Sequence, residues 1–135
     1  MEVVAVMLII ALLASLAITM MPGTGRAKLK AVTMETAALL RRERLSAILT
    51  GRERQVAIDG ERRILIGDGG GTVAIPTDVA IDLLSASAAQ RDRAMVVRFH
   101  PDGASSGAVL RLSREKAEYE IRVNWYTGGV SIEPR

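Results

Sequence analysis

The stretch EVVAVMLIIALLASLAITMM, residues Glu2–Met21, decides how the rest of the chain must be built. Behind one carboxylate stand nineteen residues without a charge, of which only Ser15 and Thr19 are polar. A helix of that length spans about 28 Å, close to the hydrocarbon thickness of a bilayer. A helix buried in a soluble core would carry a polar stripe, and this run is apolar on every side. The expectation is a retained single-pass membrane helix over residues 1–21, built on Val3, Val4, Val6, Leu8, Ile9, Leu12, Leu13 and Leu16. A cleaved signal segment, cut near Ser15-Leu16-Ala17, is the rival. It fits less well, because no Lys or Arg precedes the run and the run exceeds a usual signal core. Glu2 sits where the positive end of the helix dipole favours a carboxylate. A charge at the edge of hydrocarbon also calls for a partner, such as an amine from another chain.

Working outward, Pro22 and Gly23 close the apolar run, and a kink is expected there. Residues 22–51 are read as this kink followed by an amphipathic helix. Ala31, Met34, Ala38, Leu45, Ile48 and Leu49 are assigned to its apolar side, and Arg41, Arg42, Glu43 and Arg44 to a solvated patch. Gly51 is the expected C-cap. Residues 52–135 then change to a period of two. Gln55–Asp59 and Arg62–Ile66 flank a short turn at Gly60-Glu61. Asp68–Gly71 is a loop, and Thr72–Ile75 and Val79–Leu84 are short strands around Pro76. Ser85–Asp92 reads as an exposed connection. Met95–Phe99, Ala108–Ser113 and Glu118–Trp125 are stronger strands, and Thr127-Gly128-Gly129 turns the chain into Val130–Ile132. About eight short strands after a long helix make the fold class α+β, with a small antiparallel β-sandwich. Trp125 and Tyr126 are expected at its core and rim.

Composition removes several functions. The 135 residues contain no Cys, so a disulfide framework, a thiol nucleophile and Cys-ligated metal sites are excluded. The net charge of +3 is too mild to point to nucleic acid. It is unevenly spread: Arg26–Arg63 holds ten basic and five acidic residues, Ile64–Arg135 eight and nine. The positive half suits a helix facing headgroups or neighbouring subunits. By a literal positive-inside count, Arg26, Lys28 and Lys30 would hold the C-terminal part in the cytoplasm.

Other constellations read as structure. His100, Asp102, Ser105 and Ser106 invite a hydrolase reading, but they crowd a Pro-Asp-Gly turn instead of surrounding a pocket. A lone His makes a poor metal site. Gly67-Asp68-Gly69-Gly70-Gly71 lacks the Lys-Ser/Thr of a phosphate loop. Asp68 with Asp78 or Asp82 lacks calcium-ligand spacing. No catalytic residue, cofactor or metal is therefore expected.

The acidic residue, long aliphatic run, kinking proline and following β region resemble the type IV pilin-like proteins. The run Val97-Arg98-Phe99-His100-Pro101-Asp102-Gly103, then Ser105-Ser106-Gly107, then Tyr119–Val130 closing on Thr127-Gly128-Gly129-Val130, is similar to the GspH/FimT group of minor pseudopilins. The resemblance covers nearly the whole chain. It implies a structural subunit of a type II secretion pseudopilus, with Glu2 pairing with the N-terminal amine of an adjacent subunit. Implied partners are other major and minor pseudopilins through helix packing, and the inner-membrane secretion platform. Nucleic acid is not an expected partner. Family members carry a basic leader before the glutamate, whereas only Met1 precedes Glu2 here. Such a leader would bring prepilin peptidase and N-methylation into play. It would also reverse the positive-inside count, leaving a bacterial inner-membrane protein with its C-terminal domain in the periplasm. Two alternatives stay open: a FimT-like type IV minor pilin contacting DNA through Arg41, Arg42, Arg44, Arg52, Arg54, Arg62 and Arg63, or a membrane-anchored periplasmic binding module that never polymerises.

Overall fold

The computed structural model describes residues 2–20, 24–84 and 93–135. Helix α1 runs Glu2–Met20 and helix α2 Thr24–Thr50. Pro22 and Gly23, where the kink is expected, lie outside the described residues, as does the connection at 85–92. Gly51 ends α2 as expected: its φ of 68° is cheap only for glycine, and its N–H returns to Ala47 O at 3.0 Å.

Eight strands follow: β1 Arg54–Asp59, β2 Ile64–Gly67, β3 Thr72–Ala74, β4 Ala80–Leu83, β5 Arg93–Phe99, β6 Ala108–Arg114, β7 Ala117–Val123 and β8 Val130–Pro134. They form two antiparallel four-stranded sheets, ordered β3-β2-β1-β5 and β4-β6-β7-β8. The β1–β2 hairpin pairs Asp59 with Ile64, so β2 starts two residues later than its apolar pattern implies. The cause is Asp59, whose Oδ1 accepts the N–H groups of Glu61 and Arg62 and lengthens the turn.

Helix α2 packs against strands of both sheets, and one apolar cluster joins all three elements. Leu29, Leu40, Leu65, Val97, Phe99, Leu110, Leu112 and Ile121 are fully buried in it. The helix meets this core with a different side from the one its composition favours. Leu29, Val32, Thr33, Thr36, Ala37, Leu39, Leu40, Glu43 and Ala47 are buried, whereas Ala31, Met34, Ala38, Leu45, Ile48 and Leu49 face outward. Both stripes repeat every three or four residues, so periodicity does not choose between them. Polar members are accommodated on the buried side because Thr33 and Thr36 donate their hydroxyls to Leu29 O and Val32 O, both at 2.8 Å.

The expected placement of Trp125 is also corrected. Strand β7 stops at Val123, and Asn124 Oδ1 accepts the N–H groups of Tyr126 (2.8 Å) and Thr127 (3.1 Å). This turn ends the alternation, so Trp125 and Tyr126 are both exposed and touch edge to face with centroids 5.6 Å apart.

Candidate assembly surface

Helix α1 has no internal polar stripe to direct it to a core, and Glu2 occupies its first turn as an exposed carboxylate. Val3, Val4, Val6, Leu8, Ile9, Leu12, Leu13 and Leu16 are each 53–71% exposed. Nothing in the described chain covers them to the degree that a core residue is covered. Side chains of α1 are described as far as Leu16, and among the described residues no helix is long and apolar enough to cross a membrane.

The outward stripe of α2 adds to this apolar surface. Met34, Leu45, Ile48 and Leu49 lie on it, Leu49 being 76% exposed. Sequence reasoning found these residues and assigned them to the interior. The threonines on the opposite side bond carbonyls of their own helix and the carboxylate bonds the Gly69 N–H, so that side, though polar, is the buried one.

Glu43 is the residue that fixes which side of α2 faces the sheets. It was expected in a solvated patch, yet it is fully buried. Its carboxylate accepts the Gly69 N–H at 3.2 and 3.3 Å. The glycine-rich loop is shaped around it: a Cβ at Gly67 would lie 2.5 Å from Glu43 Oε1. The loop that superficially resembles an anion cradle thus holds a carboxylate of its own chain. Arg44 makes a second anchor, its Nε donating to Gly103 O (3.2 Å) and Thr127 O (3.1 Å). Gly128 is required there, since its φ is 70° and a Cβ would fall 2.0 Å from Gly103 O. Arg41 donates to Val130 O at 3.2 Å. Arg63 donates to Pro76 O at 3.1 Å and also to Val79 O. Three of the seven arginines considered for DNA are therefore engaged with backbone carbonyls of their own chain.

Two carboxylates outside α1 organise further charge. Asp78 accepts from Arg114 Nε at 2.7 Å and lies 3.4 Å from Lys28 Nζ. The Arg114 hydrogen bond, helped by Lys28, holds the Asp78 carboxyl below its ordinary value against the opposing effect of desolvation. Glu120 is only 1% exposed because arginine side chains roof it. Arg122 hydrogen-bonds it, and Arg135 and Arg111 approach to 3.1 and 3.7 Å. That bond and these charges lower its pKa.

The remaining polar candidates have partners within their own chain. His100 Nδ1 lies 3.1 Å from Glu53 Oε1, and Asp102 Oδ1 accepts the Ala104 N–H. Ser105 Oγ donates to Asn124 O at 2.8 Å, and Ser106 Oγ accepts the Arg98 N–H at 3.0 Å. Asp68 accepts the Gln55 N–H. Among the described residues no three His, Asp or Glu side chains converge as a metal site.

No protein-family model matches the chain. Its sequence is 30% identical over 133 residues to the type II secretion system protein H of Xanthomonas campestris pv. campestris, covering 98% of this chain and 78% of that protein. The fold is similar to that of the minor pseudopilin EpsH from the type 2 secretion system of Vibrio cholerae, with a TM-score of 0.63 and 14% identity over 79% of this chain and 97% of the other. It also resembles the type IV minor pilin FimU of Pseudomonas aeruginosa, with a TM-score of 0.59 and 15% identity over 84% and 93% of the two chains.

Proposed function

The chain belongs to the family of type II secretion system protein H, and from that premise we propose that it is a minor pseudopilin, a structural subunit of a type II secretion pseudopilus. The observation that carries the mechanism is the exposure of every described apolar side chain listed above for α1, together with the lone carboxylate at its start. Water is a poor environment for such a surface: each exposed Val or Leu forgoes roughly 1.5–3 kcal/mol of burial. The sequence of Val3–Met21 supports lipid as the cover before assembly, giving an inner-membrane anchor with the β strands in the periplasm. Helices of neighbouring subunits replace that lipid in the pseudopilus. Between helices in lipid the hydrophobic drive is weak, so packing and polar contacts set the arrangement. Glu2 pairs with the N-terminal amine of the next subunit and fixes the axial register, as one buried polar contact can. The outward stripe of α2 extends the same contact surface toward Leu49. Other pseudopilins and the inner-membrane secretion platform are the partners, and the role requires no catalytic group.

The test is complementation in the native host. Cells making Glu2→Ala should retain the protein at normal level in the membrane while type II secretion is lost. Full secretion by Glu2→Ala would contradict the proposed register contact. A type IV minor pilin is the second reading, favoured by the fold likeness to FimU. It predicts that loss of the chain impairs pili and leaves secretion intact. DNA contact has less support, since Arg41, Arg44 and Arg63 are engaged internally.

A further inference from the structure

We infer that the groove between the start of α2 and the β6–β7 turn binds the phosphate of an anionic phospholipid headgroup. The groove encloses about 230 Å³ and is lined by Arg26 of α2 and by Arg114, Glu115, Lys116 and Ala117 of the hairpin. Arg114 is held in place from behind: its Nε is bonded to Asp78, and its guanidinium rests on the backbone of Gly25. A Cβ at Gly25 would fall 1.4 Å from Arg114 Nη1, so the absence of a side chain there seats the cation against the helix. Lys28 takes the other oxygen of Asp78. Arg26 and Lys116 form no ion pair or hydrogen bond with any described residue, and both are exposed.

Charge is unbalanced at this place. Four cations, Arg26, Lys28, Arg114 and Lys116, face two carboxylates, Asp78 and Glu115, and the first turn of α2 contains no acidic residue. Asp78 already serves two cations, so an external anion is what completes the set. Phosphate suits it, because guanidinium and ammonium donors arrayed around one groove match its several acceptor oxygens. Connectivity selects the source. Arg26 stands six residues beyond Met20, the end of α1, a separation of at most about 21 Å along the chain. With α1 in the bilayer, which is the reading proposed above and on which this inference rests, the groove is tethered where anionic headgroups concentrate.

The test uses the full chain in a non-ionic detergent, titrated with short-chain phosphatidylglycerol while the amide resonances of Gly25 and Lys116 are followed. Saturable shifts are expected with phosphatidylglycerol and none with phosphatidylcholine of the same chain length. Arg26→Ala combined with Lys116→Ala should weaken the phosphatidylglycerol response about 30-fold, at the usual gain per basic residue. An unchanged melting temperature of this double variant shows that the fold is intact. Equal responses to both lipids, an unaltered double variant, or inorganic phosphate binding as tightly as phosphatidylglycerol would each overturn the assignment. Flotation of the full chain with pure phosphatidylcholine vesicles tests anchoring separately. A chain that floats yet ignores phosphatidylglycerol contradicts the groove alone, and one that stays at the bottom contradicts the anchor.

Discussion

Helices α1 and α2 follow one another in the chain and treat their apolar residues in opposite ways. In α1 the described Val, Leu and Ile side chains, as far as Leu16, are all exposed. In α2 one side meets the sheets, where Leu29, Leu40 and Ala47 are fully buried, and the other leaves Leu45 and Leu49 uncovered. The difference lies in the polar residues. α2 buries Thr33 and Thr36, whose hydroxyls bond carbonyls of their own helix, and Glu43, whose bond to Gly69 ties it to the loop after β2. The described polar residues of α1, Glu2 and Ser15, are exposed, so neither docks it on a strand. Apolar surface says only that a cover exists, and the polar residues beside it say whether the same chain provides it.

The sharpest way to break this comparison is inside α2 itself. Leu40→Ala removes a fully buried side chain and should cost about 2–5 kcal/mol of stability, read as a drop in chemical-denaturation midpoint. A loss under 1 kcal/mol would mean that α2 is not docked as described.

Next in size is the carboxylate that chooses the docked side. Glu43→Ala leaves the Gly69 N–H without its partner and should cost about 1–3 kcal/mol, whereas Glu43→Gln keeps an acceptor and should cost less. Equal losses for the two variants would show that the negative charge, and not the acceptor, is what the site requires.

A smaller effect separates the ion pairs of the β region from the apolar contacts. Asp78 and Glu120 titrate below their ordinary values of 3.8 and 4.5 in the folded chain. Their contribution to stability is therefore complete above those values and is lost as pH falls through them toward the lower folded values. Thermal unfolding should show a midpoint that declines below about pH 4.5. Asp78→Asn should flatten part of that decline, and an identical pH profile would remove Asp78 from the account.

The smallest expected effect is on the outward side of α2. Leu49→Ala should change monomer stability by no more than about 0.5 kcal/mol while reducing crosslinking to neighbouring subunits. A large loss of stability would place Leu49 in a contact that this structure does not contain.

Much of the architecture was readable from residue order. Tyr119, Ile121 and Val123 alternate with charged residues because one face of β7 meets the core, and Gly51 marks the end of α2 because its φ is positive. The side of α2 that docks was not readable. Ala31, Met34 and Ala38 repeat as regularly as Val32, Thr36 and Leu40, and a threonine whose hydroxyl bonds its own helix scores as polar while packing as core. Glu43 was misplaced for a related reason. A carboxylate reads as solvated until a loop of glycines from elsewhere in the chain is known to close around it. Trp125 was missed because Asn124 ends the strand two residues early through side-chain bonds that alternation does not encode.

Helix α1 is where the proposed role is decided, and the absence of cysteine makes its contacts directly measurable. Paired cysteines introduced at Leu8 and Leu16 of the full chain, assembled with its secretion partners in native membranes, report contact between α1 helices of adjacent subunits. Oxidation should yield crosslinked subunits, and adding Glu2→Ala should abolish them at unchanged protein level. Crosslinks that persist unaltered without the Glu2 carboxylate would contradict its role in setting the contact.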